Sequence, residues 1–472
     1  MKSYILLIAI LLTIVSCSKS IDLDPTHSVN GDDFFKTVDE YEQALTGTYQ
    51  RLKQNSLYGG VNGGSVFLSS VDIAADNFYS GPNNLGNLNN MFRWNYTADD
   101  PVVQGAWDAA YLVIQQANIS MRGIERFRND EPLKVNRIEG QARAIRAFMH
   151  FELLRWWAND FDRNATTLGI AYSDTFDIER KPARLTVKQS YDKIEADLKT
   201  AKSMMSNMDK AIQSPSSTAA TARAYVDTLV VNAMLARMYL YANEWDSAIK
   251  YSSYVIDARP LASPDEFPMI WQDATTTEVI WSVNYQAGNQ ALAREIYQPS
   301  GDQLQWRPVT ALLDLYETND IRDAAYWRTR NGRIVLNKYF AKSTSSGNPD
   351  GVVNFKVFRT AEMYLIRAEA YAMNGDDVMA LSDLNDLRAA RNASVGAETG
   401  ADLLDAIQVE RRKELVVEGH RFFDLKRTTR TVNRTQSCSN YCTLASNSRA
   451  WALPVPQTER LANNNMQQNP GY

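Results

Sequence analysis

Three histidines, His27, His150 and His420, stand far apart in the 472-residue chain, and Cys17, Cys438 and Cys442 are its only cysteines. A zinc centre draws three or four such ligands from closely spaced pairs, so this distribution argues against one. No Gly-rich loop runs into Lys-Ser or Lys-Thr, and Gly59-Gly60 with Gly63-Gly64 fits no dinucleotide fingerprint. No serine sits in a nucleophile elbow. Asp72 and Asp76, one helical turn apart, come nearest to the carboxylate pair of a glycosidase, but their expected role is turn capping or solvation. His150 lies in an apolar run and reads as a structural histidine. His420 follows Glu418-Gly419 and is expected to cap carbonyls at a helix end. The reading is a non-enzyme with no catalytic residue, no metal site and no cofactor. Asp265 and Glu266 could contribute to a structural calcium site, but scattered carboxylates are a weak signal and do not support one.

What remains is aromatic chemistry. Sugars present apolar faces and polar rims, so their sites pair flat rings with amide, carboxylate or guanidinium edges. The stretch from Asp76 to Tyr96 interleaves Phe78, Tyr79, Phe92, Trp94 and Tyr96 with Asn77, Asn83, Asn84 and Arg93. Further on, Trp281, Tyr285, Tyr297 and Trp306 accompany Asn284, Gln286 and Arg307. Trp281 sits in a strand-like run and is assigned to the core. Tyr79, Asn83, Trp94, Tyr285 and Trp306 are the candidate ligand contacts, because polar or turn residues flank them. The rival ligand is peptide, held by backbone hydrogen bonds and pockets; the insertions have few clustered tryptophans, which keeps that alternative open. A helical scaffold that binds no small ligand is the other alternative.

The elements that must position these rings are helices. Apolar residues recur at helical spacing over Thr37–Leu52, Trp107–Ile124, Ile138–Trp157, Val187–Met205, Leu229–Tyr241, Trp245–Ile256, Ala361–Met373, Val378–Ala390 and Leu403–Glu418. Two hairpins are spelled alike: Ala236, Tyr239 and Ala248 repeat at the same spacing as Ala368, Tyr371 and Ala380. Small residues let paired helices approach and the tyrosine fills the gap, which is the tetratricopeptide pattern. Gly-, Asn- and aromatic-rich stretches near 58–101 and 261–358 interrupt the helices, with short strand-like runs at Glu278–Asn284 and Arg333–Phe340. The expected fold is mainly α, a tetratricopeptide-like helical-hairpin scaffold with long irregular insertions and a few short β-strands. Function is expected in the insertions.

Fifty Lys and Arg against fifty-five Asp and Glu leave a net charge of -5, which provides no general field for nucleic acid. Tyr4–Val15 is an apolar run broken only by Thr13, preceded by Lys2 and too short to span comfortably, so residues 1–16 read as a signal peptide. It ends Ile14-Val15-Ser16-Cys17, which resembles a bacterial lipobox with Cys17 as the lipidated first residue. Residues 17–36 would then be a tether and 37–472 a single folded unit. Acyl chains contribute about 0.8 kcal/mol per buried methylene, so the chain is anchored to a membrane rather than embedded in it. Export permits Cys438 and Cys442 to form a disulfide around Ser439-Asn440-Tyr441.

The region 361–472 resembles the SusD/RagB family. Ala361-Glu362-Met363-Tyr364-Leu365-Ile366-Arg367-Ala368-Glu369-Ala370 is similar to its signature helix. Glu410-Arg411-Arg412-Lys413-Glu414-Leu415 leads into Glu418-Gly419-His420-Arg421-Phe422-Phe423-Asp424-Leu425-Lys426-Arg427, a second hallmark. Leu453-Pro454-Val455-Pro456 and Asn469-Pro470-Gly471-Tyr472 match the family's end, while Leu23-Asp24-Pro25 and Ala144-Ile145-Arg146-Ala147-Phe148 match nearer the start. The resemblance implies an outer-membrane nutrient-binding lipoprotein of the Bacteroidetes type, facing outward. It would capture oligosaccharide, or in some members peptide, for a SusC-like TonB-dependent transporter, without catalysis. The alternating charges of Glu410, Arg412, Glu414, Glu418, Arg421 and Asp424 read as an ion-pair network along one helix and its exit.

Overall fold

The computed structural model describes residues 34–59, 64–215, 223–286, 292–342 and 352–472. The expected signal peptide, the expected lipidation site Cys17 and residues 17–33 of the expected tether lie outside the described residues.

Helix α1 (Val38–Arg51) starts at a capping box: Thr37 accepts from the Glu40 amide, and the Glu40 carboxylate accepts from the Thr37 amide. It buries Tyr41, Ala44, Leu45 and Thr48, one stripe at helical spacing. After the short α2 (Ser69–Ala74) come α3 (Pro101–Ile119), begun by a proline behind an Asp100 cap, and α4 (Pro132–Trp157). The last three turns of α4 are buried on nearly every side, which places this helix at the centre of the fold. Then follow α5 (Val187–Met205), α6 (Thr228–Tyr241), α7 (Trp245–Ala258), α8 (Thr360–Met373), α9 (Asp377–Ala390), α10 (Gly400–Glu414) and α11 (Arg421–Arg427). Neighbours pack in series: α3 on α4, α4 on α5, α5 on α6, α6 on α7, α7 on α8, and α8 on both α9 and α10.

The two expected repeats are the hairpins α6–α7 and α8–α9. Ala236, Ala248, Ala368 and Ala380 are fully buried where the helices meet. The turns are also alike. The Glu244 amide donates to Tyr239 O at 2.9 Å and the Asp376 amide to Tyr371 O at 2.9 Å, while Asn243 and Gly375 take the left-handed conformation that closes each helix. Because α7 packs on α8, the two hairpins are consecutive in space although about a hundred residues separate them in sequence.

Among the described residues the strands form five two-stranded antiparallel ribbons. β1 (Phe78–Ser80) pairs with β5 (Trp306–Pro308), β2 (Val279–Val283) with β8 (Phe355–Arg359), and β3 (Tyr297–Gln298) with β4 (Gln303–Leu304). β6 (Trp327–Arg330) pairs with β7 (Arg333–Leu336), and β9 (Val432–Asn433) with β10 (Thr443–Leu444). Trp281 lies in the core as expected, its ring against Phe148 and Phe358.

The structure corrects the reading of the C-terminal motif in two ways. Helix α10 ends at Glu414 rather than Glu418, because Val417 and Gly419 turn left-handed; a Cβ on Gly419 would lie 2.4 Å from the Phe67 carbonyl. The expected ion-pair network is present between Asp424 and both Arg411 and Arg427, but the other motif carboxylates find their main partners on other elements. Glu414 meets Arg359, Arg391 and Arg322 at 2.8, 3.1 and 3.1 Å. Glu418 meets Arg359 and Lys338, while Glu278 meets Arg359 and Arg391 at 2.6 and 2.8 Å. This buried cluster ties β2, β8, α9 and α10 together; burial alone would raise the Glu414 carboxyl, but the three guanidiniums hold it well below the usual range.

Candidate ligand-binding face

The residues from Asp72 to Ser80 are the floor of the face. Asp76 accepts from Arg421 Nε and Nη2 at 2.7 and 2.8 Å. Arg412 donates to the Asp76 carbonyl and to Asn77 Oδ1, with its guanidinium 3.8 Å from the Asp76 carboxylate. Burial opposes ionisation of Asp76, but these two arginines hold its carboxyl well below the usual range. Asp72 is different. Burial pushes its carboxyl up to about 7, only partly offset by the Asn77 amide that donates to it at 2.7 Å. The two carboxylates thus have separate partners, Asp76 the arginines and Asp72 the Asn77 amide.

Above this floor stands a stack of rings around one buried guanidinium. Arg434 follows β9 and donates to five carbonyls, those of Ile73, Ala74, Ala75, Phe92 and Tyr441, at 2.6–3.1 Å. Its guanidinium carbon lies 3.9 Å from the Phe92 ring centre and 4.0 Å from that of Trp94. Phe92 in turn packs on Trp306, with ring centres 5.1 Å apart. The order from core to surface is therefore Trp306, Phe92, Arg434, Trp94. No carboxylate pairs with Arg434 among the described residues, and burial pulls its pKa down to about 9 against the attraction of Asp76.

Trp94 ends this stack half-buried, its Nε1 donating to the Ala74 carbonyl at 2.8 Å. Its backbone is left-handed, with φ of 55°, an uncommon conformation for a bulky residue that its surroundings must hold. Tyr79 is half-buried on β1 opposite Arg307, whose guanidinium lies 5.4 Å from the ring centre. Asn83 is exposed; its Oδ1 accepts from the Leu304 amide, which leaves the Nδ2 group turned to no partner among the described residues. Arg93 is exposed and lies over the Tyr441 ring at 5.6 Å. Tyr441 belongs to the loop closed by the Cys438–Cys442 disulfide, so the two cysteines do pair.

Two of the five candidates do not reach the surface. Trp306 is 1 % exposed because β5 turns it inward onto Phe92, and Tyr285 is 6 % exposed just beyond β2 with its hydroxyl buried. Neither offers a ring face to a ligand; Tyr79, Asn83 and Trp94 remain. Arg434 was not legible, since nothing in sequence links it to rings more than three hundred residues away. Among the described residues neither histidine belongs to this face. His150 accepts from the Ser173 amide and contacts Arg146 O, and burial pulls its pKa down to about 3. His420 caps no helix end; it is buried at the start of α11 with Nδ1 unpartnered.

Two polar clefts of about 540 and 760 Å³ lie away from these rings, and their principal charges are already paired: Arg427 with Glu369 and Asp424 in one, Arg146 with Asp197 in the other. Among the described residues no acidic, histidine or cysteine cluster could hold a metal ion, and no helix is long and apolar enough to cross a membrane.

A family model described as the SusD family matches residues 279–472, and one described as starch-binding and associating with the outer membrane matches residues 32–240. A SusD-like protein of Formosa agariphila is 26 % identical, with all of both chains covered. A SusD superfamily protein of Bacteroides thetaiotaomicron has a solved structure that is 25 % identical, with a TM-score of 0.80 over 92 % of this chain and 100 % of that one. A surface glycan-binding protein of Bacteroides uniformis shares the fold at 19 % identity, with a TM-score of 0.75 over 92 % of this chain and 99 % of that one. With both halves matched and the scaffold shared from end to end, this chain belongs to the SusD family.

Proposed function

We propose that the protein captures oligosaccharide on the face around Trp94 and passes it to a SusC-like TonB-dependent transporter in the outer membrane. A lipid on Cys17 would hold it there, facing outward. Trp94 carries this reading: a tryptophan fixed in a left-handed turn by one hydrogen bond and one buried guanidinium is a preorganised platform. A sugar stacking on it would encounter a ring whose orientation is already set. Tyr79 would supply a second ring, and the Asn83 amide a donor for hydroxyls. Binding need not be tight, since a neighbouring transporter raises the effective concentration. The names of relatives, a starch-binding family and surface glycan-binding proteins, support the ligand class.

The test uses the chain from Ser18 to Tyr472, which contains every described element. Native affinity electrophoresis through a polysaccharide panel should show retardation by at least one glycan. Trp94→Ala should weaken it about tenfold, the order expected for loss of one stacked ring, while Trp306→Phe should not. Heat from a peptide mixture with no glycan response would transfer the face to peptide capture. Turnover of a bound glycan by the isolated chain would show an enzyme instead.

A further inference from the structure

Arg93 and Arg307 emerge from the packed pair Phe92 and Trp306, each being the next residue in sequence. β5 alternates, so Trp306 turns in and Arg307 turns out beside Tyr79. Each guanidinium lies over a tyrosine ring, Tyr441 or Tyr79, and neither has a carboxylate partner among the described residues. Stacking on a ring orients the planar fork while leaving its N–H edges available.

The layer beneath is cationic too. Asp76 is one carboxylate set against three guanidiniums, those of Arg412, Arg421 and Arg434. Asp72 adds little compensation at neutral pH, since burial keeps its carboxyl partly protonated. A chain with a net charge of -5 has therefore gathered unneutralised arginine under and beside the half-buried rings of this face. A neutral sugar would gain only ordinary hydrogen bonds to its hydroxyls from these guanidiniums. A carboxylate or sulfate ester would gain a charge-assisted, fork-shaped hydrogen bond at a site whose counter-charge is missing.

We infer that the Trp94 face selects anionic glycan, with Arg93 and Arg307 taking uronate carboxylates or sulfate esters on either side of the stacked ring. This rests on the glycan-capture reading and narrows its ligand class. Selection is by charge at the rim and by ring stacking at the centre, so removing the arginines should abolish preference before it abolishes all binding.

Calorimetry with the chain from Ser18 to Tyr472 would compare polygalacturonate with its carboxyl-reduced form, and carrageenan with its desulfated form. At least one acidic polymer should bind at least about tenfold more tightly than its neutral counterpart. That preference should weaken as salt rises from about 0.02 M to about 0.3 M. Which acidic polymer responds separates carboxylate from sulfate. In the Arg93→Gln, Arg307→Gln double variant the preference should vanish, with an unchanged near-ultraviolet dichroism spectrum showing that the fold is intact. Equal or tighter binding of the neutral forms, still sensitive to Trp94→Ala, would overturn the anionic selection and leave glycan capture standing. Binding of polyglutamate as tight as that of the acidic glycan would also overturn it, since charge alone would then suffice. Silence toward every glycan would sink both readings together.

Discussion

The ion cluster around Glu414 and the face around Trp94 use the same residue types, arginine beside carboxylate and aromatic ring, yet they are satisfied in different ways. In the cluster each charge meets an opposite one: Glu278, Glu414 and Glu418 are shared among Arg359, Arg391 and Lys338, all buried. At the face Arg434 is held by carbonyls, and Arg93 and Arg307 by rings. A saturated network has nothing left to offer a ligand. An unsaturated one does, and that difference separates the part of the molecule that holds the fold from the part that can bind.

The sharpest way to break the comparison is Glu414→Ala. It would remove the carboxylate that three buried guanidiniums share; Arg359 and Arg391 keep Glu278 and Arg322 keeps Asp320, so the cost should reach about 3 kcal/mol, the lower end for breaking a buried pair. Urea denaturation should show the loss as a lowered midpoint. A drop below about 1 kcal/mol would mean the cluster is less closed than its geometry implies. Acid should act in the same direction. Folded-state pKa values held below the unfolded ones, as for Glu414, Glu418 and Asp76, supply stability above the ordinary carboxylate range that is lost as pH falls through the folded values.

Second in size is the clip beneath the face. Replacing both Cys438 and Cys442 by serine opens a short loop, for which the loop-entropy argument gives about 2 kcal/mol. The loop also contributes Tyr441, whose carbonyl accepts from Arg434 and whose ring carries Arg93. Glycan affinity should therefore fall along with the melting temperature. A variant that melts lower but binds unchanged would separate the clip from the face.

Smaller again is the effect of Asp72, which runs opposite to Glu414. Its folded pKa, up to about 7, lies above the ordinary carboxylate value, so its contribution favours folding at low pH and is lost as pH rises from about 4 through 7. Between pH 5.5 and 7.5 the denaturation midpoint of Asp72→Asn should therefore gain relative to that of the parent chain. His150 and His420, held well below their ordinary values by burial, titrate only in the unfolded chain here and raise the stability of both proteins alike as pH rises, so the difference between the two slopes isolates Asp72. An identical slope in the two proteins would show that Asp72 stays ionised.

The scaffold was legible because local rules govern it. Helical spacing and the repeated Ala-Tyr-Ala spelling each act over a few residues, and every expected helix is present with no end shifted by more than six residues. The end of α10 was missed where tertiary crowding decides: Gly419 must pass close to Phe67 O. The face was legible only in part for the same reason. Tyr79, Asn83 and Trp94 sit in a turn-rich stretch whose composition is visible, and all three reach the surface. Trp306 has similar neighbours, but its inward direction follows from pairing with a strand more than two hundred residues earlier. Arg434 acts through five carbonyls supplied by three separate segments, a role that no pattern of residue types announces.

The smallest expected change in stability is also the most discriminating. Arg93→Gln and Arg307→Gln remove guanidiniums that touch rings near the surface and make no ion pair among the described residues. Exposed cation–π contacts contribute about 0.5–1 kcal/mol each, so each variant should unfold within about 1 kcal/mol of the parent. Arg359→Gln, which changes the same side chain in the same way inside the cluster, should cost several times more because it leaves Glu278, Glu414 and Glu418 buried with fewer partners. If Arg93 or Arg307 proved as costly as Arg359, the face would be part of the fold's own charge balance. Near-neutral unfolding together with altered glycan preference would place these arginines outside the architecture, available to a ligand.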